Sequence, residues 1–262
     1  MLEIKNLEDV TGLKQPRRIM KYVLIYCTSG SLSLKVDENS YRLSGGQVIT
    51  ITSGQIHHIT KSTKAKGLIL EFSLDFFVKN DNDIELIFQN GLFCHFAMNE
   101  VIAVDKSVIE PQLNSIREEM LKQPYQYLIS VHSRIELVLV EINRAKVNRG
   151  DEIWKPEALF LKFLESVRNN FENNYSLAEY AGILRTTEIK LNQLSKLHTG
   201  KTAQHVIYGL ITSEAKRLLT YGDLSVKEVA YKLGFADPFY FSNFFKKQTK
   251  LSPKLYKEKF AL

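Results

Sequence analysis

Cysteine is nearly absent from this sequence: Cys27 and Cys94 are the only two among 262 residues. Two thiols cannot build a disulfide framework, and this pair lacks the spacing of metal ligands. A stapled secreted domain is thereby excluded, and a reducing cytoplasm is the expected compartment. Long apolar runs are missing too. The most apolar stretch, 67–78, is interrupted by Glu71 and Asp75, so no membrane span is expected. The start, Met1-Leu2-Glu3-Ile4-Lys5, has no basic region followed by an apolar core, so no secretory signal is expected. What is present is ordinary for a globular protein: 44% hydrophobic and 24% charged residues, at a length that suits two modest domains.

The net charge of +6 is unevenly placed. Through Lys155 there are 19 basic and 19 acidic residues; from Pro156 onward there are 16 and 10. The whole excess therefore lies in the last part of the chain. Neutralising phosphates releases condensed counterions, so a polyanion partner would bind there. Charge alone leaves a solubilising excess as an equal alternative.

Residues 20–72 read as β. Tyr22-Val23-Leu24-Ile25-Tyr26 is followed by the alternating Ser31-Leu32-Ser33-Leu34-Lys35-Val36, then by short runs separated by Ser44-Gly45-Gly46 and Ser53-Gly54. Such spacing predicts a sandwich or small barrel. Residues 73–104 carry no clear period, and Asn80-Asp81-Asn82-Asp83 reads as an exposed loop. From Val108 the period becomes helical. Leu113, Ile116, Met120 and Leu121 mark one amphipathic helix, and Ile135, Val138, Leu139 and Ile142 a second. The polar Asn148-Arg149-Gly150-Asp151-Glu152 is the best boundary, giving domains of residues 1–150 and 156–262. Trp154 beside it reads as a packing anchor.

The second domain repeats. Leu177, Tyr180, Ala181 and Leu184 stand at i, i+3, i+4, i+7, and Val226, Val229, Ala230 and Leu233 repeat the pattern 49 residues later. Each set follows a serine (Ser176, Ser225) with glutamate three residues on (Glu179, Glu228), a capping box twice over. A second helix follows each, with Leu191, Leu194 and Ser195 in one core and Phe241, Phe244 and Phe245 in the other. Two helix–turn–helix units result, the second with one extra turn residue. The outer face of the first second-helix would offer Ile189, Asn192, Gln193 and Lys196; that of the other, Pro238, Phe239, Ser242, Asn243 and Lys246. Asn and Gln can pair with adenine, and Ile or Phe can pack on a thymine methyl. Lys190, Lys216, Arg217, Lys247, Lys254 and Lys257 are placed to meet phosphates. The competing reading is a helical oligomerisation domain with a polar face; the paired caps, the charge and the amides favour double-stranded DNA.

Residues 225–242, then Phe245-Lys246-Lys247, Ser252-Pro253 and Tyr256, closely resemble the C-terminal signature of the AraC/XylS regulators. The resemblance covers residues 160–260, with His198-Thr199-Gly200-Lys201-Thr202 and Ala215-Lys216-Arg217-Leu218-Leu219 matching the turn after the first recognition helix and the linker helix. It implies that both recognition helices enter the major groove on one face of DNA. Three positions depart: Lys250 and Arg185 stand where the family usually or often has Gly, and Ser195 replaces a usual Phe. Residues 22–58 resemble the cupin-like sensor barrel of the family through Tyr41-Arg42-Leu43, Gly45-Gly46-Gln47-Val48 and Ser53-Gly54-Gln55-Ile56-His57-His58. The implied fold is α+β: a cupin-like β-barrel with dimerisation-type helices, then an all-α domain with two helix–turn–helix motifs. The implied partners are DNA, a second copy of the chain, a small-molecule effector and, for an activator, RNA polymerase. Tyr22, Tyr26, His57, His58 and Phe72 are the candidate effector-pocket residues. No cofactor, metal or catalytic role is expected: adjacent histidines on a strand face opposite ways, and no H-x-H with a following Glu appears. Cys94-His95 reads as structural.

Overall fold

The computed structural model describes residues 2–9, 15–88, 91–93, 99–151 and 156–260. Trp154 and Cys94-His95 lie outside them. The chain divides into two compact units, Met1–Lys155 and Pro156–Leu262.

The first unit is an antiparallel sheet with helices on one face. Its strands are β1 (Leu2–Asn6), β2 (Arg17–Arg18), β3 (Tyr22–Val36), β4 (Asn39–Ser44), β5 (Gln47–Ile51), β6 (Ile56–Phe72) and β7 (Val101–Ala103). They pair in the order β1-β6-β3-β5-β7, with β2 on β6 and β4 on β3. The long β3–β6 ladder runs from Tyr22↔Phe72 to Val36↔His57 and is broken by bulges near Ser29 and Leu34, which bend it. One sheet face gathers Val23, Ile25, Cys27, Leu32, Leu34, Val36, Ile49, Ile51 and Ile69 into an aliphatic core. Along 31–36 only this face is buried, which is why the sequence alternates there. Residues 22–27 are buried on both faces, because the other side is covered.

The cover is helical: α1 (Leu74–Phe77), α2 (Asp81–Phe88), α3 (Lys106–Lys122) and α4 (Tyr127–Asn148). Tyr22 and Phe72 pack into an aromatic cluster with Phe77, Phe88 and Phe93. Tyr26 donates its hydroxyl hydrogen to Glu110 Oε1 of α3 at 2.7 Å. The segment expected as a loop at 80–83 instead opens α2. Asn80 Oδ1 accepts from the backbone N–H of Asn82 and Asp83, a helix-starting arrangement that an Asn/Asp run supports as well as a turn.

The second unit is all helix: α5 (Ala158–Asn169), α6 (Leu177–Ile183), α7 (Glu188–Thr199), α8 (Ala203–Tyr221), α9 (Val226–Lys232), α10 (Pro238–Thr249) and α11 (Pro253–Phe260). Both capping boxes form, Ser176 with Glu179 and Ser225 with Glu228. The turns also match: Thr186 N–H reaches Ala181 O at 2.9 Å, and Phe235 N–H reaches Ala230 O at 3.0 Å. Helix α8 is the hub, packed against α5, α7, α9, α10 and α11.

The two copies differ where the sequence departs from the family. Arg185 holds φ +52° in the position where Gly234 holds +73°, a left-handed conformation that disfavours a Cβ by about 1 kcal/mol. Lys250 ends α10 with φ +68°, as Gly200 ends α7 with +69°, so the turn keeps its shape without glycine. Ser195 is fully buried where the second copy has Phe245, and its hydroxyl has no hydrogen-bond partner among the described residues. Ser195→Ala removes that desolvated group at almost no change in volume. We expect it to raise the stability of this unit by about 1 kcal/mol in calorimetric melts; a loss of stability would mean the hydroxyl is satisfied.

Candidate nucleic-acid interface and sensor core

The outer faces of α7 and α10 carry the same stripe. Ile189, Gln193 and Lys196 stand at i, i+4, i+7 on α7; Phe239, Asn243 and Lys246 repeat this 50 residues later on α10, and all six are exposed. Ile189 is 71% and Phe239 80% exposed, large apolar side chains left largely uncovered by the described residues of their own unit. An apolar side chain, an amide and a lysine at helical spacing form one ridge, with a methyl-packing group, a two-way hydrogen-bonding group and a cation in sequence. Tyr240, 74% exposed beside Phe239, belongs to the same surface. The sequence reading placed Phe239 on this face and Phe241, Phe244 and Phe245 in the core but left Tyr240 unassigned; the i, i+3, i+4 spacing of the three core phenylalanines is the signal that leaves it outside.

Each helix is aimed by its caps. Thr187 and Asp237 side chains accept from the N–H of Lys190 and Phe239, and Pro238 fills the first turn of α10, where its missing N–H costs nothing. Pro238 itself is half-buried.

Four residues expected at the interface are engaged elsewhere. Asn192 turns inward, and its Oδ1 accepts from Ala203 N–H at 3.0 Å, capping α8; its amide is therefore not open for bidentate pairing. Arg217 is half-buried beside the buried Glu214 one turn earlier on α8, Nη1 to Oε2 3.4 Å. Lys257 donates to Leu224 O at 2.8 Å. Ser242 is half-buried and donates to Pro238 O at 2.9 Å. Lys216 lies 5.6 Å over the Tyr256 ring and is half-buried. Lys190 pairs with Glu157 at 3.3 Å across exposed surface, a contact weak enough to exchange for a phosphate. Lys196, Lys246, Lys247 and Lys254 remain exposed.

In the first unit the five expected pocket residues do not converge. Tyr22, Tyr26 and Phe72 lie on the helix-covered face, because they pair with one another's strands in the register opposite to the aliphatic core. His58 pairs with Lys35 and also faces away from that core. Only His57, opposite Val36, points into it. There it meets two residues the sequence reading overlooked. Arg17 Nε donates to His57 Nε2 at 3.0 Å, and Arg17 Nη2 donates to Glu71 Oε1 at 2.6 Å. His57 Nδ1 therefore carries the ring hydrogen and donates it to Gln55 O at 3.2 Å. A guanidinium, an imidazole and a carboxylate thus share an otherwise aliphatic interior, with His57 and Glu71 buried and Arg17 half-buried.

Burial, and then the Arg17 guanidinium, lower the His57 pKa from 6.5 to about 4. Between these values the unfolded chain binds the proton and the folded one does not, so stability falls as pH drops below about 6.5. From pH 7 to 5 the loss is about 2 kcal/mol. His57→Gln should flatten that part of a urea-unfolding series; an unchanged slope would show that the ring is not the titrating group.

An antiparallel-sheet unit joined to a helical unit with two matched helix–turn–helix motifs defines a two-part helix–turn–helix regulator. Known proteins place it further. The AraC-like ligand binding domain model matches residues 13–131, and the Helix-turn-helix domain model matches residues 180–259. An uncharacterised HTH-type transcriptional regulator encoded in the 5′ region of cgkA in Pseudoalteromonas carrageenovora is 33% identical over 119 residues, 45% of this chain and 70% of that protein. This chain belongs to the AraC family of transcriptional regulators. The HTH-type transcriptional activator RhaS of Enterobacter sp. (strain 638) is 28% identical over 117 residues; the match covers 45% of this chain and 41% of RhaS, under half its length. ToxT of Vibrio cholerae aligns over 99% of this chain and 98% of its own, at TM-score 0.44 and 14% identity, a superposition too loose to assign residue correspondences.

Proposed function

We propose that this chain is a sequence-specific DNA-binding transcription regulator, acting in the cytoplasm and not as an enzyme, that reads two successive major-groove segments with α7 and α10. The repeated, exposed ridge of Ile189, Gln193 and Lys196 with Phe239, Asn243 and Lys246 carries the reading. The basic excess of the same unit supports it. Among the described residues, no helix is long and apolar enough to cross a membrane.

Regulation by a small effector is proposed at the Arg17–His57–Glu71 cluster, the polar part of an aliphatic interior. An effector that hydrogen-bonds there would exchange one set of buried contacts for another at little desolvation cost. Dimerisation is proposed through the α3–α4 hairpin, where Leu121 is 82% and Tyr125 92% exposed next to exposed Leu128 and Ile129. The activator role and contact with RNA polymerase are proposed from the family.

Binding to DNA of varied sequence, measured as a function of salt, tests the interface. Lys246→Ala should weaken binding to all sequences alike and reduce the salt slope by about 1. A wild-type affinity independent of salt would contradict the proposal.

A further inference from the structure

A cluster outside both sites described so far lies between α2 and α4. His132 and Glu136 are one turn apart on α4 and share a face. Asp83 comes from the first turn of α2. Asp83 and His132 are buried, while the Glu136 side chain is 36% exposed, which leaves the cluster open on one side.

The imidazole is held firmly. It stacks on Phe77 with ring centres 5.1 Å apart, and Phe76 meets it edge-on. His132 Nε2 lies 2.7 Å from Phe77 O. A carbonyl oxygen only accepts, so Nε2 carries the hydrogen. The other nitrogen, Nδ1, then faces Glu136 Oε2 at 3.5 Å. Asp83 Oδ2 lies 3.9 Å from Nε2, on the Phe77 side of the ring, and accepts from the backbone N–H of Lys79 at 2.7 Å and of Asn80 at 3.3 Å. One ligand atom from each of the three residues can be chosen so that all lie within 4.8 Å of one another.

Among the described residues, His132 is the only ion-pair partner of either carboxylate. Two carboxylates flank one imidazole, and among the described residues only Asp83 is further met by backbone N–H groups, those of Lys79 and Asn80. A proton on Nδ1 would balance one carboxylate; a dication would balance both. The Nδ1–Oε2 separation is close to the edge of roughly 3.3 Å that ligands at about 2.0 Å from a tetrahedral ion subtend. The Nε2–H bond to a backbone carbonyl is the support that metal-ligating histidines use to fix ring and tautomer.

We infer that Asp83, His132 and Glu136 bind a transition-metal dication of the zinc type, with solvent as fourth ligand, fastening α2 to α4. One imidazole with two carboxylates selects such an ion over magnesium or calcium, which prefer all-oxygen shells.

The test uses the purified full chain, stripped with a chelator. Zinc is titrated against a chromophoric competitor, and cobalt(II) is added separately to read the ligand field. The expected result is one equivalent of zinc taken up, at least tenfold weaker in Glu136→Gln. Visible cobalt bands of a tetrahedral site should disappear in His132→Gln. Because Glu136 is partly exposed, its variant should fold and decides the matter alone if His132→Gln does not. Absence of stoichiometric uptake by the wild type, which leaves a proton as the only counter-charge, overturns the inference. So does uptake that Glu136→Gln leaves unchanged.

Discussion

Asn243→Ala is expected to weaken binding to the preferred DNA sequence by about 1–3 kcal/mol, roughly 5- to 150-fold in Kd, with little change toward random DNA. Asn243 is exposed in the middle of the α10 ridge, one turn from both Phe239 and Lys246, and among the described residues no side-chain bond holds it. Its amide can therefore meet both hydrogen-bonding edges of an adenine. Gln193, its counterpart on α7, should behave alike but relax a different half of the site. Asn192→Ala should act otherwise, lowering stability by releasing the Ala203 N–H that it caps. Gel shifts at one fixed salt concentration, paired with melts, separate the two classes. Equal losses on specific and random DNA for Asn243→Ala and Gln193→Ala would reduce the ridge to a general phosphate surface.

Gly234→Ala should destabilise the second helix–turn–helix by about 2–4 kcal/mol and abolish specific binding near its melting temperature. Two causes add. The backbone at Gly234 has φ +73°, where a side chain is disfavoured. A Cβ there would also run into the Glu172 carbonyl oxygen and lie 2.9 Å from Asn174 Cβ, in the turn that precedes α6. Neither neighbour is the flexible end of a side chain. The matching Arg185 is exposed, so the first copy tolerates the same backbone shape with a side chain. Calorimetry of the full chain reads the shift directly; a change under about 0.5 kcal/mol would show that the turn can relax.

Much of this was legible in the sequence where the cause is local. Capping boxes at Ser176 and Ser225, the alternation at 31–36 and the 49-residue repeat arise within a few residues of one another, and the structure realises each. What failed was partner choice across the fold. Asn192 and Arg217 have the composition of DNA contacts, but the Ala203 N–H, brought close by the packing of α7 on α8, takes the first, and the second is half-buried beside Glu214. Tyr22, Tyr26 and Phe72 have the size of pocket walls, yet strand parity alone does not say which face the helices will cover. Arg17 and Glu71 escaped notice because they are 54 residues apart and β2 is only two residues long, too short to leave a period.

The most direct test of the central claim is selection of bound DNA from a random pool by the wild-type chain. Two short conserved elements, about 10–10.5 base pairs from centre to centre on one face of the helix, are predicted, one lost in Gln193→Ala and the other in Asn243→Ala. A single undivided element, or no enriched sequence at all, would contradict reading by two recognition helices.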